Sequence, residues 1–460
     1  MNTLVNMKCW NPLADLRAIL LATAAMAILQ PAQAQQDTAR SYQFSLEECI
    51  QFALANQPKV QNARLSREAS REKIRESTGK LLPHANITGS FTDNLKLQTS
   101  VIPDFANDPN NKIPVQFGTK YASAVTGQVN QTILNSDYFL GLKAAKVYDE
   151  LSVRDLERTA IDTRVQVSNA YFNVLVSRES IRLVDANIVR LQKTLKDTRA
   201  RYDEGVSERI DVDRMQVSFN NAETQRANLE RLQQYSLDVL KFNMGMPLQS
   251  TLELKEDVKS FAGTREMLDS QQYNIQDRPE YHMQRVQVEL NRLDLKSKRL
   301  GIVPTLSAFI NYGVNWFSPQ FSDLYKTGYG NSAMGLTLNF PIFTGTERIH
   351  QVAQSRIVLK QSENDLSNLS QQIQLEVRNA YTDYQNNAAS LLTQEKNMAL
   401  TQGVYDRVVL KFDQGVSSSL DVVSADNELK QAQSDYINAL LDTLISKVKL
   451  DQAMGKIKVQ

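Results

Sequence analysis

The sequence contains few of the residues that interrupt long secondary-structure elements. Among its 460 residues there are only 17 glycines and 12 prolines. Two or three ordinary domains of this total length would need many tight turns, which are built mainly from glycine and proline. The scarcity of both residues therefore predicts few turns and long elements, elongated helices above all.

An excess of charge of either sign is also absent. The 52 Lys and Arg residues nearly balance the 51 Asp and Glu residues, and the chain has no dense run of Lys or Arg. Proteins that bind nucleic acid use clustered cations to neutralise phosphates. The composition therefore predicts that nucleic acid is not a partner.

Cysteine is rare, and one of the two cysteines lies in a predicted signal peptide. Lys8 and Arg17 precede an apolar stretch over residues 18–29, and an A-x-A site follows at residues 32–34, a pattern typical of secretory signals. A membrane anchor fits less well, because a bilayer needs ~20 apolar residues. Cleavage after residue 34 would remove Cys9, so no intrachain disulfide is expected.

Long apolar runs are missing from the rest of the chain. After residue 34, no run approaches the ~18 apolar residues of a membrane-spanning helix. Two classes of protein remain open at this point: a soluble periplasmic protein, or a protein that crosses a membrane as a β-barrel.

Motifs of common catalytic and metal sites are missing as well. The three histidines lack metal-ligand spacing, and neither a phosphate-binding glycine loop nor a G-x-S-x-G motif occurs. The acidic pair Asp211 and Asp213 could hold a divalent cation, but a solvated helix tip is the simpler interpretation. We therefore predict a protein that is not an enzyme and has no cofactor and no metal.

The chain does contain an internal duplication. Residues 56–83 match residues 277–304 at a constant offset of 221, and later segments match at an offset of 210. Because the offsets differ by 11, the first copy holds 11 additional residues after its second proline, where we expect a surface loop. The matched pairs include Leu82-Pro83 with Val303-Pro304, Ala170-Tyr171 with Ala380-Tyr381, and Met244-Gly245 with Met454-Gly455.

Each copy includes one very long stretch with helical periodicity. Apolar residues between Leu366 and Leu391 advance 25 residues in seven steps, a mean near 3.57. No proline interrupts residues 137–203 or residues 345–412. At ~1.5 Å per residue these helices would be about 100 Å long. They are therefore expected to pack side by side, as in a coiled coil.

The two long stretches end in similar turns, at residues 201–207 and 411–417, and each turn contains Gly-Val-Ser. Glycine closes a helix in the left-handed conformation, and Ser or Asp beyond it can cap the next helix. Return helices would then run to Gly245 and Gly455. The predicted unit is a helical hairpin, present twice.

Before each long helix the periodicity changes from 3.6 to 2. Apolar and polar residues alternate over residues 86–97, 306–316 and 333–340, and more weakly over residues 121–131, although Asp93 falls on the apolar side. We predict four strands of about 12 residues. Strands of this length with one apolar face fit tilted strands of a membrane barrel, although a soluble sheet half-covered by helices would show the same pattern.

The membrane interpretation is favoured by export, by the lack of an apolar helix and by aromatic residues near the strand ends. Candidate residues of an aromatic belt are Tyr312, Trp316 and Phe340. Four strands cannot close a barrel, since ~8 is the minimum, and a lipid-exposed sheet edge is excluded. We therefore predict that three copies assemble and supply 12 strands.

Taken together, these residues resemble the TolC outer membrane efflux protein family, over residues 42–456. The likeness rests on several short motifs in a fixed order. They are Phe44-Ser45-Leu46-Glu47-Glu48, the prolines Pro83 and Pro304 ahead of the strands, Phe340-Pro341-Ile342-Phe343-Thr344-Gly345, and two Gly-Val turns with Asp six residues after each glycine.

The resemblance implies a mainly α-helical protomer that trimerises into a 12-stranded β-barrel in outer membrane lipid, continued by a periplasmic α-helical barrel. It implies a passive exit duct of a tripartite efflux or type I secretion system. The partners would be a periplasmic adaptor (membrane fusion) protein and an inner-membrane transporter of the RND, ABC or MFS type. The alternative is a soluble periplasmic coiled-coil scaffold or adaptor, which would normally have a single hairpin within β modules.

The resemblance also directs attention to the hairpin tips, where the family closes its entrance with hydrogen bonds between hairpins and with rings of aspartate. Asp421 matches the first ring position, although an Asp in the first turn of a helix is also favoured by the helix dipole. The sequence departs from the family pattern at Ser424, Phe412 and Ser417, which stand in place of an aspartate, a tyrosine and an arginine. The gate candidates are Asp211, Asp421, Asp426 and Phe412, with Arg209 or Arg214 as the replacement cation. The adaptor-contact candidates are Gly205, Val206, Ser207, Gly415, Val416 and Ser417.

These patterns divide the chain into nine predicted segments. They are a signal peptide (1–34), an N-terminal segment with the first ascending helix (35–84), a strand pair with a surface loop (85–133), the first hairpin (137–245), an equatorial connector (246–278), the second ascending helix (279–304), a second strand pair (305–343), the second hairpin (345–455) and a C-terminal tail (456–460).

Overall fold

The computed structural model describes residues 41–104, 108–262 and 273–458. The predicted signal peptide lies outside these ranges, as do residues 263–272 of the predicted connector. Along the described chain the elements are β1 (Ser41–Phe44), α1 (Leu46–Asn56), α2 (Pro58–Gly79), β2 (His84–Asp93), β3 (Thr99–Asp104), β4 (Asp108–Gln116), β5 (Tyr121–Leu134), α3 (Ser136–Asp203), α4 (Arg209–Met244), β6 (Thr251–Leu254), α5 (Lys259–Ala262), a 3₁₀ turn (Ile275–Asp277), α6 (Pro279–Leu300), β7 (Thr305–Ser318), a second 3₁₀ turn (Phe321–Asp323), β8 (Gly328–Asn339), α7 (Glu347–Asp413) and α8 (Ser419–Ala453).

The two long helices are continuous, as the proline-free stretches predict. Helix α3 has 68 residues and α7 has 67, so each is about 100 Å long at ~1.5 Å per residue. The Asn135 side chain caps α3 by accepting a hydrogen bond from the Asp137 backbone at 2.9 Å. Helix α7 begins two residues later than predicted, after Gly345, whose φ is 64°.

The four predicted strands form one antiparallel sheet in the order β2-β5-β7-β8. Its register places the alternating apolar residues of the four strands on one face, with Ile87, Tyr312 and Ser332 aligned across β2, β7 and β8, whereas Phe309 and Phe317 of β7 lie on the other face. The polar residues that alternate with them share the other face. Asp93, the exception in the sequence pattern, is the last residue of β2, where the sheet ends.

Four further strands of the described chain lie outside this sheet. Strands β3 and β4 form a separate antiparallel hairpin within residues 94–120, the connection between β2 and β5. The matching connection in the second copy covers only residues 319–327, so most of the additional residues of the first copy form this surface hairpin. Strands β1 and β6 pair in parallel over four residues each, which is too short to give a periodic signal in the sequence.

The main core lies at the equator, where α1, β1 and β6 cover the middle of the two hairpins. It contains the buried residues Cys49, Ile50, Ala53, Tyr171, Leu175, Leu240, Met244, Leu252, Leu254, Leu440 and Leu444. Glu256 connects these elements, because its carboxylate accepts hydrogen bonds from the Leu46 backbone and the Tyr171 hydroxyl, both at 2.8 Å.

The duplication is visible in how each return helix ends. Gly245 lies against the backbone of Asn56 and Gln57, and Gly455 lies against Asp277. Gln57 donates a hydrogen bond to the Asn243 carbonyl at 3.3 Å. At the equivalent place in the second copy, Arg278 donates to the Ala453 carbonyl at 3.0 Å. One joint is therefore built twice, once with an amide and once with a buried guanidinium.

Between the equator and the sheet, the helices pack side by side in a row. Helix α2 packs along α3, and α6 packs between α3 and α7. Throughout the described ranges, the helices fall short of the length and apolar character needed to cross a membrane.

Candidate functional site

The candidate site is the pair of hairpin tips, and both tips close with the same turn. Gly205 and Gly415 have φ values of 78° and 76°. The backbone of Val206 donates to the Arg201 carbonyl at 2.8 Å, and that of Val416 donates to the Lys411 carbonyl at 2.9 Å. These bonds define a Schellman motif, in which a left-handed glycine ends the helix. The predicted turns are therefore present in both copies.

The return helices begin with capping boxes, which give Asp211 and Asp421 a local role. Asp211 accepts from the Glu208 backbone at 3.2 Å. Asp421 accepts from the Ser418 backbone at 2.9 Å and from the hydroxyls of Ser417 and Ser418 at 2.9 and 2.8 Å. The backbone bond from Ser418, followed by the hydroxyl bonds, lowers the pKa of the exposed Asp421 carboxyl below its ordinary value.

A guanidinium from the first hairpin binds the end of the second. Arg201 donates to the Phe412 carbonyl at 2.6 Å and to the Asp413 carbonyl, and its guanidinium carbon lies 5.3 Å from the centre of the Phe412 ring. Its interaction with the Asp413 carboxylate is longer, at 3.8 Å. Sequence reasoning did not identify Arg201. The available signal was its position as the counterpart of Lys411, in the last turn of the long helix.

A second contact between the hairpins lies one turn into the return helices. Arg214 donates to the Ser419 hydroxyl at 3.2 Å, and that hydroxyl donates to the Asp211 carboxylate. Of the two arginines considered from the sequence, Arg214 therefore reaches the other hairpin. Arg209 instead lies 3.7 Å from Asp213 on its own helix, and both side chains are exposed.

Apolar packing fixes the hairpins above these polar contacts. Phe412 is buried in a cluster with residues from both hairpins, and these are Leu195, Val212, Met215, Tyr405, Val422, Ala425 and Leu429. Asp426, a gate candidate, is only 1% exposed and lies inside this packing.

Asp426 is held by charge. Neither of its carboxylate oxygens accepts a hydrogen bond from the described residues. Lys430 Nζ lies 2.6 Å from one of them, four residues along the same helix, and the two side chains form an ion pair. Burial, with a further contribution from the Asp426 charge, raises the pKa of the neighbouring Tyr405 hydroxyl.

The outer surface of the tips is apolar in both copies. Val206 and Val416 are each 75% exposed, and Ile210 and Leu420 stand exposed one turn further along at matching positions. Ser207 and Ser417, with the two glycines, flank these side chains. The six predicted adaptor-contact residues therefore form two small equivalent patches, each centred on a valine.

The aromatic candidates occupy different levels of the sheet. Trp316 lies near one end of β7, with its ring centre 5.5 Å from that of Tyr325, and Phe340 directly follows β8 at the opposite end. Tyr312 lies between these levels, across from Gly127 and Ser332. Within the described ranges, histidine, cysteine, aspartate and glutamate form no group of three or more suited to a metal ion.

Comparison with known proteins agrees with this architecture. The family model described as outer membrane efflux protein matches residues 49–245 and 272–456. The chain is 22% identical to the outer membrane protein TolC of Vibrio cholerae, over 90% of this chain and 92% of that protein. It is also 22% identical to the alkaline protease secretion protein AprF of Pseudomonas aeruginosa, over 84% of this chain and 81% of that protein.

Solved structures show the same fold. The outer membrane channel MtrE of Neisseria gonorrhoeae superposes with a TM-score of 0.69 at 19% identity, over 89% of this chain and 88% of that chain. The outer membrane protein VceC of Vibrio cholerae superposes with a TM-score of 0.67 at 16% identity, over 89% and 96% of the respective chains.

Proposed function

The chain belongs to the outer membrane efflux protein family and is an outer membrane channel, and from this premise we propose that it is the passive exit duct of a tripartite efflux or type I secretion system. The observation that carries the proposal is the shape of the protomer, an open four-stranded sheet with one apolar face joined to two helical hairpins about 100 Å long. The alternative of a soluble scaffold is set aside, because the family match covers both copies.

The working unit we propose is a homotrimer. Within the described residues, the edge strands β2 and β8 have no strand partner on their outer sides, and both are exposed along almost their entire length. Lipid offers no hydrogen bonds to such edges, so the sheet must pair with other copies. Three copies supply 12 strands, with the apolar face towards lipid and the polar face towards the lumen. Trp316 and Phe340, at opposite ends of the sheet, suit two interfacial belts.

The tips would form the periplasmic gate. In each protomer the contacts of Arg201 and Arg214 hold the two hairpins together, and opening requires that hairpins separate. Asp421 lies at the tip of the second hairpin. Three such carboxylates near one axis would attract cations and repel one another. Asp426, buried within the hairpin packing, contributes through its pairing with Lys430.

The exposed valine patches of the tips suit a periplasmic adaptor, which would connect the duct to an inner-membrane transporter. Patches of this size are small, and repetition around a trimer would provide six of them. Together they would act as a multivalent surface.

Conductance and adaptor binding test the two parts of this proposal separately. Reconstituted protein should form ion-conducting pores in planar bilayers, and the absence of pores under conditions that open the gate would contradict the channel. Val206→Asp combined with Val416→Asp should abolish efflux in cells while leaving the trimer and the conductance unchanged. A matched control is Leu400→Asp, at an exposed apolar position of α7 away from the tip.

A further inference from the structure

A groove lies at the base of the sheet, on the side that carries its apolar residues. Its walls are the end of α6, the link from β8 to α7 and the start of α7, and its volume is about 640 Å³. Phe340 lines the groove and continues the alternate positions Leu336 and Leu338 of the apolar face. The groove therefore opens where the apolar face of the sheet gives way to helices.

The walls of the groove expose large apolar side chains. Ile342 and Phe343 are each 86% exposed, and Ile302, Phe340 and Ile349 are exposed as well. Clustered apolar side chains of this size at a protein surface mark a contact with a partner or with lipid. The apolar wall therefore requires an apolar neighbour.

The same groove concentrates positive charge. Of the described residues that line it, four are cations and none is an aspartate or a glutamate; the cations are Lys298, Arg299, Arg348 and Arg356. None of the four makes an ion pair or a side-chain hydrogen bond within the described chain. In a protein whose charges nearly balance, the groove thus holds four cations without an anion.

The cations of the two helices lie close together. A Cβ at Gly301, the residue that follows α6, would lie 3.5 Å from the Arg348 guanidinium. Arg348 therefore extends from the start of α7 to the end of α6, where Lys298 and Arg299 occupy the last turn. Mutual repulsion disfavours such a cluster unless an anion binds to it.

The duplication shows that the fold does not require these charges. Helices α2 and α3 form the equivalent junction in the first copy. At the offsets of 221 and 210, the counterparts of the four cations are Ser77, Thr78, Tyr138 and Lys146. A helix dipole favours cations in the last turn of α6, but it acts equally on α2, which has none there. The charge of the second groove therefore has a cause other than helix stability.

We propose that this groove binds an anionic phospholipid of the periplasmic leaflet of the outer membrane. The cations would contact the phosphate, and the apolar wall would lie along the acyl chains. The inference rests on the proposed orientation, in which the apolar face of the sheet meets lipid and the hairpins extend into the periplasm. A free phosphate would neutralise the cations but would leave the apolar wall in water, so a lipid fits both features.

The order of the groups along the protein matches the order of groups in a lipid. Phe340, at the end of the sheet, would lie at the boundary of the hydrocarbon. Arg348 and Arg356 follow on α7, away from the sheet. Side chains of a helix lean towards its N-terminus, which for α7 is the end at the sheet. Both arginines therefore reach back towards the headgroup layer, where long cationic side chains place their charge.

Net charge decides between headgroups. Phosphatidylcholine carries an ammonium group that four unpaired cations would repel, whereas phosphatidylglycerol and cardiolipin carry only negative charge. Each cation near an anionic membrane surface strengthens binding about fivefold. The groove should therefore prefer the anionic lipids, and the first copy, with one cation of four, should show little preference.

Quenching of a single tryptophan by brominated lipid tests the site in the full-length protein. Trp316→Phe removes the tryptophan that remains after cleavage of the predicted signal peptide, and Phe343→Trp places a reporter in the groove. The protein is reconstituted in phosphatidylcholine with either brominated phosphatidylglycerol or brominated phosphatidylcholine at equal content. The ratio of the two quenching constants should exceed about fivefold in favour of the anionic lipid.

The duplication supplies the matched control. Ile133, exposed at the position equivalent to Phe343, receives the reporter instead as Ile133→Trp, and the ratio there should be near one. In the groove, replacing all four cations by glutamine should bring the ratio close to one. Arg407→Gln, at an exposed arginine of α7 near the tip, should leave the ratio of the Phe343→Trp reporter unchanged.

An equal ratio at the two reporters, or a preference that survives the four glutamines, would overturn the anionic site. The absence of quenching by either lipid would mean that protein covers the groove, and would overturn it as well. Conductance of the same preparations separates this result from the channel itself. Pores without lipid preference leave the channel standing, whereas protein that forms no pores contradicts the proposed function.

A second measurement uses the chain without a reporter. Added phosphatidylglycerol or cardiolipin should raise the melting temperature of the protein in mild detergent, while phosphatidylcholine and inorganic phosphate at the same concentration should not. The four glutamine substitutions should remove the rise. Stabilisation by inorganic phosphate alone would show that the groove is a simple anion site, and a rise that persists in the glutamine variant would show that the lipid binds elsewhere; either result contradicts the proposal.

Discussion

Arg201 binds the second hairpin through main-chain atoms. Its guanidinium donates to the carbonyl oxygens of Phe412 and Asp413 and lies over the Phe412 ring. Carbonyl acceptors persist when residue 412 or 413 is substituted, so these two hydrogen bonds depend on the Arg201 side chain alone. The planar guanidinium can reach two carbonyls at once, which an ammonium group cannot do in the same geometry.

Arg201→Ala should therefore destabilise the closed tip. Hydrogen bonds that involve a charged group contribute ~1.5–3 kcal/mol, and the partial exposure of Arg201 reduces this value, so we expect the open population to rise about 5- to 50-fold. The measurement is open probability in planar bilayers, with Arg201→Lys as an intermediate case. Arg199→Ala, at an exposed arginine on the same helix, should behave as the unmodified protein. An unchanged open probability in Arg201→Ala would show that this contact does not limit opening.

Asp421 gives a prediction about pH. Its folded-state pKa is lowered, first by the Ser418 backbone bond, so its contribution to the α8 cap is present above the ordinary carboxyl pKa and is lost as the pH falls through the lowered value. Amide protection at residues 418–421, corrected for intrinsic exchange, should thus hold from pH 7 to about 4 and decline only in stronger acid. Asp421→Asn should remove that step. A decline already near pH 6 would mean that another group controls the cap.

At the scale of the elements, the same left-handed glycine ends a helix in two different settings. Gly205 ends α3 at the open tip, and a Cβ there would meet no atom within 4 Å. Gly245 ends α4 at the equator with a similar φ of 69°, but a Cβ there would lie 2.8 Å from the Asn56 carbonyl oxygen. An alanine would introduce backbone strain at both sites, but it would clash with neighbouring atoms only at residue 245.

Gly205→Ala should therefore lower the free energy of unfolding by ~1–2 kcal/mol, the strain of a left-handed non-glycine residue. Gly245→Ala should lower it by clearly more, because the added methyl also pushes α4 away from the α1–α2 junction. Thermal unfolding of the trimer in detergent measures both. Gly403→Ala, inside α7 with open space around it, should be neutral or slightly stabilising. Equal decreases in the free energy of unfolding for the two variants would show that the backbone around Asn56 and Gln57 moves away from the added methyl at little cost.

The elements also show what sequence alone can predict. Helices α3 and α7 and three of the four strands of the sheet repeat a period over many residues, so their patterns are strong, while the pattern of β5 is weaker. The β1–β6 pair has four residues per strand and no usable period. Arg201 was missed because its acceptors are main-chain atoms about 210 residues away, which carry no side-chain signal. The choice between Arg209 and Arg214 depended on how the hairpins pack, which periodicity does not specify.

At the scale of the whole molecule, the two copies join equivalent elements in the same way but use different side chains to do so. Gln57 and Arg278 occupy the same joint, yet the arginine is buried and pairs with Glu280 at 3.1 Å and Glu376 at 3.2 Å. An ion pair of this kind tolerates removal of one partner poorly, whereas the amide joint contains no charge. The second copy thus depends more on electrostatics at its equator than the first.

The β3–β4 hairpin is where the two copies differ most, and the duplication predicts that the sheet does not need it. Residues 94–120 connect the paired Asp93 and Tyr121, and residues 317–327 connect the paired Trp316 and Gly328. Because the two connections join equivalent strands, replacing residues 94–120 by a second copy of residues 317–327 should leave the trimer and its conductance intact. A connection of this shorter length should change stability by less than about 1 kcal/mol, since closure entropy varies slowly with loop length.

The measurement is trimer melting together with single-channel conductance, and the reciprocal exchange, which places residues 94–120 between β7 and β8, is the control. Both variants should assemble if the connections are interchangeable surface additions. Loss of assembly in the first variant alone would mean that β3 and β4 contact a neighbouring protomer in the trimer. The longer connection of each protomer would then take part in the contact between protomers, and the two copies would not be equivalent there.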